Sequence, residues 1–174
     1  MNIGYICKLF YLITIITLKD VLDIPVGTKA LILSKLYYGV LSKSLENLDI
    51  ERYFSVLHFL HYHNGASQQN ICNKLAIDKT AMVKVIDYLI KADYVERKVN
   101  PADRREHFVT LSKKGSKQTE LVVKAFEALD KELFHGILKD EKENFLKTLN
   151  KLTLNLSDLP SDDLFFNYTK STIK

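Results

Sequence analysis

The stretch QQNICNKLAIDKTAMVKVIDYLIKADYVERKVNPADRREHFVTL, residues 68–111, constrains the fold more than any other part of the chain. Helical spacing runs over 68–75, breaks at Ala76-Ile77, and resumes behind Asp78 to about Ala92. The period then falls to two, with β-prone runs over 94–99 and 107–111 on either side of the turn NPADRRE. Ser67 and Asp78 stand where each helix needs a side-chain oxygen to accept its free N–H groups, and Ile77 can be buried in the turn between them. Short helix, tight turn, second helix and hairpin together read as a helix-turn-helix with a wing.

Apolar stripes at three- and four-residue steps predict four more helices. One covers 28–48, with Leu33, Leu36, Tyr37, Val40, Leu41, Leu45 and Leu48. Asp49 can cap a second over 50–63, which stops at Asn64-Gly65. Ser112 can cap a long third to about Leu138, and Asp140 can start a last one in which Phe145, Leu149, Leu152 and Leu156 repeat. Six Gly and three Pro in 174 residues leave little room for long irregular loops. Helices with such stripes need a surface to bury them, and a two-fold dimer that intertwines them supplies one. The expected fold is mainly α with a small β-hairpin, a winged helix-turn-helix lobe plus long N- and C-terminal dimerisation helices. The expected organisation is an apolar segment over 1–24, a domain over 25–158 and a tail over 159–174. Within the domain the DNA-reading lobe is about 50–111, with dimerisation helices about 28–48 and 112–156.

Charge is unevenly placed. Residues 70–117 hold eleven Lys and Arg against six Asp and Glu, a net of +5, while the whole chain carries +4. The basic character therefore belongs to the segment with the hairpin and points to an anionic partner. Two distant cysteines, Cys7 and Cys72, make neither a disulfide framework nor a metal cluster, so a reducing cytoplasm is the default. The apolar run IGYICKLFYLITIITL at 3–18 carries Lys8, is short of the ~20 residues of a bilayer span, and lacks a small-residue cleavage site. It reads as an element packing on the domain or across a dimer, as a start site drawn too far upstream, or as a membrane anchor or signal sequence.

On a helical wheel, Met82, Val85, Ile86 and Leu89 form a core face, while Lys79, Thr80, Val83, Lys84 and Asp87 fall on the other side. A solvated charged face would account for the polar set. Three features favour DNA: its concentration at the N-terminal end, where a recognition helix meets base edges, its small hydroxyl and two lysines, and an exposed Val83 suited to a thymine methyl. Ser67 and Gln68, at the start of the preceding helix, join the DNA-facing set. Asp87 reads as a structural partner for a nearby Arg or Lys. In the wing, Asn100, Pro101 and Asp103 already supply turn chemistry, so Arg104 and Arg105 need another purpose. A minor groove about 6 Å wide concentrates negative potential that attracts Arg, and Asp103 can orient one through a charge-assisted hydrogen bond.

The text LAIDKTAMVKVIDYLIKADYVERKVNPADRREHFVTLSKKG, residues 75–115, resembles the MarR family of bacterial winged-helix regulators. The DRR triplet in a wing followed by VTLSKKG carries the resemblance, and the helix order extends it over roughly 28–156. The resemblance implies a homodimer on pseudo-palindromic double-stranded DNA, with Arg105 in the minor groove, Asp103 as its buttress, and the first and last helices as the dimer interface. Where the family often has Gly before the wing, this chain has Asp93, a residue type that tolerates the left-handed conformation.

The resemblance also implies a small-molecule effector, of unknown identity here, in a pocket that Tyr37, Tyr38, Phe54 and His58 could line; core or dimer packing accounts for the same aromatics. Cys72 reads as a packed thiol beside Ile71 and Leu75. His58, His61 and His63 read as residues favoured at a helix C-terminus, without metal-ligand spacing. No G-x-S-x-G elbow, P-loop or G-x-G-x-x-G is present, so neither an enzyme nor a bound cofactor is expected. The reading is a sequence-specific DNA-binding transcriptional regulator, a ligand-responsive repressor that acts as a homodimer on a pseudo-palindromic operator and does no catalysis. A winged helix serving only protein contact is the alternative, and the basic residues on both helix and wing weigh against it.

Overall fold

Three side-chain oxygens set where the central helices begin. Ser67 accepts from the Asn70 N–H, Asp78 from the N–H groups of Thr80 and Ala81, and Ser112 from that of Gly115. Each residue has extended backbone and turns the chain into a helix by satisfying donors the first turn leaves free. The computed structural model describes residues 24–48, 50, 53–100 and 107–160. Its elements in order are α1 (Val26–Ser44), α2 (Phe54–Tyr62), β1 (Ala66–Ser67), α3 (Gln68–Leu75), α4 (Lys79–Lys91), β2 (Val95–Val99), β3 (His107–Leu111), α5 (Lys113–Leu133) and α6 (Lys139–Ser157).

The chain divides into two compact units, Met1–Val40 and Leu41–Lys174. In the first, the described residues include most of α1. The second holds the core, in which Phe54, Leu57 and Leu60 of α2, Ile71 of α3, Met82, Ile86 and Leu89 of α4, Val109 of β3 and Val122 of α5 are all buried. Their sequence spacing follows the helix and strand periods, so one set of apolar residues both defines the elements and packs them together.

The helix-turn-helix and wing expected from the sequence are present, with α3 and α4 joined by Ala76-Ile77-Asp78. Ala76 takes the left-handed conformation at φ 50°, and the Ile77 N–H returns to the Cys72 carbonyl at 3.1 Å. β2 and β3 pair antiparallel from Val95↔Leu111 to Val99↔His107. A third strand was not foreseen. β1 pairs with β3, giving the order β1-β3-β2, and at two residues it is too short to show alternation. It is held by the HNG loop, where the Asn64 side chain accepts from the Leu111 N–H at 2.9 Å and Gly65, at φ 85°, donates to the Val109 carbonyl.

Several boundaries differ from the expected ones. α2 starts at Phe54 and not at Ile50, because Ile50 is buried ahead of a tight turn in which its carbonyl accepts from the Tyr53 N–H. Asp49, the expected cap, lies outside the described residues. α1 ends at Ser44 rather than Leu48. α5 stops at Leu133, short of Leu138, since Gly136 adopts φ 78° and the Ile137 N–H closes a turn onto Phe134. Asp140 sits in the first turn of α6 and does not cap it; Glu141 accepts from the Leu138 N–H there. The segment 3–18 and the tail beyond Pro160 lie outside the described residues, among which no helix is long and apolar enough to cross a membrane.

Candidate nucleic-acid interface

α4 is two-faced. Met82, Val85, Ile86 and Leu89 are buried, while Lys79, Thr80 and Lys84 are exposed and Val83 is 38% exposed. The four outward residues all lie in the first two turns. This is the end where the Asp78 cap fixes the helix start, with Oδ1 at 2.8 Å from the Thr80 nitrogen and 2.9 Å from that of Ala81. The face therefore combines two cations, a hydroxyl and an aliphatic group, a set able to meet phosphates, base edges and a thymine methyl.

Asp87 has a partner, as the sequence led us to expect. Its carboxylate lies 2.7 Å from Arg97 Nη1 on β2, tying the second half of α4 to the wing. Arg97 itself went unsingled in the sequence, although it shares strand parity with the buried Val95 and so faces the helix side. The pair is partly exposed, so Asp87→Ala is expected to lower stability by only about 0.2–1 kcal/mol in urea unfolding. A loss beyond about 2 kcal/mol would show a tie of another kind.

Ser67 and Gln68 are half-buried at the start of α3. Ser67 is both the cap, with its Oγ 3.3 Å from the Asn70 nitrogen, and the strand residue opposite Phe108. Asp103, Arg104 and Arg105 fall in sequence between the paired ends Val99 and His107, and lie outside the described residues. Asp93 has φ 61°, the left-handed conformation anticipated where relatives often carry Gly.

The aromatic set proposed for a ligand divides between the two units. Tyr37 and Tyr38 lie edge to face, 5.6 Å between centroids. Phe54 is buried in the second unit, where the His58 ring packs at 4.6 Å on Phe126 of α5. Burial, together with the neighbouring His61, holds the His58 imidazole below its ordinary pKa, while Asp130 and Glu127 act the other way. Cys72 is buried, and burial plus the Asp78 carboxylate push its thiol up, which disfavours the reactive thiolate. Among the described residues no three His, Cys, Asp or Glu side chains come together as a metal site.

Residues 48–106, which span α2, the helix-turn-helix and the first half of the wing, match the model of the MarR family. Over that segment, about a third of its length, the chain is similar to the MarR family. The uncharacterized HTH-type transcriptional regulator YwhA of Bacillus subtilis (strain 168) is 25% identical over 97 residues, covering 56% of this chain and 70% of that protein. Among solved structures, a MarR transcriptional regulator from Methanosarcina mazei Go1 superposes with a TM-score of 0.68 at 24% identity, over 75% of this chain and 94% of the other. Wild-type MarR from E. coli, in its apo form, gives 0.60 at 26% identity over 74% and 97%. A putative MarR regulator from Listeria monocytogenes, solved with a 26mer DNA, gives 0.74 at 18% identity over 78% and 91%. The order of helices around the MarR lobe is thus common to this chain and these structures.

Proposed function

We propose that this chain is a cytoplasmic, homodimeric repressor of the MarR type that binds a pseudo-palindromic operator and is released by a small-molecule effector. The observation that carries the reading is the exposed face of α4, where Lys79, Thr80, Val83 and Lys84 cluster at the capped end of the helix. The DNA-bound Listeria relative supports it, since its fold is the one this chain adopts.

In this reading α4 enters the major groove. Thr80 and Val83 meet base edges, and Lys79 and Lys84 meet phosphate or base edges. Ser67 and Gln68 contact the flanking backbone from the start of α3. Arg104 and Arg105 reach the minor groove from the wing, with Asp103 orienting Arg105. Exposed apolar residues support the dimer. Leu33, Leu36 and Val40 on α1, and Phe145, Leu149 and Leu152 on α6, are each more than two-fifths exposed. Water-facing rows of this kind suit a partner's matching rows, and a two-fold dimer sets two copies of α4 about 34 Å apart, one DNA turn. The effector is proposed to act within the second unit, beside His58.

Arg105→Ala tests the wing. It is expected to weaken operator binding by about 1–3 kcal/mol, as for one good base-reading contact, measured by fluorescence anisotropy at fixed salt. Unchanged affinity would remove Arg105 from the mechanism.

A further inference from the structure

The C-terminal end of α4 is fastened by the first turn of α5. Three successive carbonyls, those of Ala92, Asp93 and Tyr94, each accept a hydrogen bond from that turn. Lys114 Nζ donates to the Ala92 oxygen at 2.6 Å, Ser112 Oγ to the Asp93 oxygen at 2.6 Å, and the Ser112 N–H to the Tyr94 oxygen at 3.0 Å. Ser112 Oγ in turn accepts from the Gly115 N–H at 2.8 Å. The Lys114 ammonium also lies 4.6 Å above the Tyr94 ring, and Tyr94 is buried. Within the turn that ends α4, the Asp93 N–H bonds to Ile90 and the Tyr94 N–H to Leu89. The carbonyls at the end of α4 are thus taken up by this turn, and the three carbonyls of the turn itself are bonded in their place by the start of α5.

We propose that this junction is a clamp that sets the angle of α4, and that Lys114 is a positioning residue for base reading, acting through Ala92 and Tyr94 and not on DNA. The proposal rests on the reading that α4 enters the major groove. Ala92 and Thr80 are twelve residues apart, about 18 Å along a helix. A tilt of about 10° at the clamped end therefore displaces the reading end by about 3 Å, the full length of a hydrogen bond. Non-specific attraction to phosphate tolerates such a shift, and base contacts do not. The clamp also joins α4 to the 21-residue rod of α5, so movement of α5 is passed to the reading helix.

The test compares Lys114→Met and Lys114→Arg with the parent, in two measurements. The first is hydrogen exchange without DNA. Lys114→Met is expected to speed exchange of the Asp93 and Tyr94 amides about tenfold, as loss of a charged hydrogen bond and a cation–π contact implies, and Lys114→Arg to restore it. The second is anisotropy with operator and scrambled duplexes across a salt series. Lys114→Met is expected to cut the operator-to-scrambled affinity ratio about tenfold at an unchanged salt slope, again with rescue by Arg. Unaltered exchange overturns the clamp. Altered exchange with an unaltered ratio overturns the positioning role. A salt slope lowered by about one overturns it as well, since Lys114 would then be a phosphate contact. A parent protein that fails to discriminate the two duplexes defeats the DNA reading itself, and the positioning role with it.

Discussion

Gly115→Ala is expected to destabilise the protein by about 3 kcal/mol, the upper part of the range for forced overpacking. A Cβ at this position would fall 1.8 Å from the Tyr94 carbonyl oxygen and 2.7 Å from its carbon. Both atoms are backbone, so no rotamer change relieves the overlap. α5 would have to move off the start of β2 and break the Ser112 and Lys114 bonds to the end of α4. Alanine is otherwise the better helix former by about 1 kcal/mol, which acts in the opposite direction. Overlap this deep outweighs that gain. Urea unfolding decides the matter through the midpoint, and an unchanged or raised midpoint would mean that α5 does not approach Tyr94 so closely.

Phe54→Ala carries the second large effect, a loss of about 3–5 kcal/mol. Phe54 is 1% exposed at the start of α2, so truncation removes a whole buried ring and leaves a cavity. Against a typical total of about 5–15 kcal/mol, a large share of the fold's stability would be lost. The result also separates two roles for this residue. A ring that chiefly contacts an effector would lose effector response with little change in stability, whereas a core ring reverses that pattern. A loss under about 1 kcal/mol in thermal or urea unfolding would contradict the core assignment.

The reach of the sequence differs from element to element, and each difference has a cause. α3 and α4 were legible because a cap, an apolar period and a break coincide within a few residues. The pairing of β2 with β3 followed from two β-prone runs separated by turn residues. β1 was hidden because its hydrogen bonds go to a strand some forty residues away, and two residues carry no pattern of their own. The end of α5 was missed because Ile137 and Leu138 continue an apolar spacing that Gly136 interrupts in the backbone.

The candidate site divides in the same way. The outward face of α4 could be read from its wheel, and the pairing of Asp87 from the charges around it. The clamp could not. Lys114 looks like one of several solvated lysines until Ala92, Asp93 and Tyr94 are brought against it by the left-handed turn at Asp93. Contacts between elements that depend on a single backbone conformation leave no periodic trace in the sequence.

In the proposed function the α4 face and the wing read DNA. The most direct measurement is fluorescence anisotropy of the full chain with a duplex from the region upstream of its own gene, against a scrambled duplex, over a salt series. Binding is expected to favour the upstream duplex by about a thousandfold or more, with affinity falling steeply as salt rises. Equal, weak binding to both duplexes at every salt concentration would contradict it.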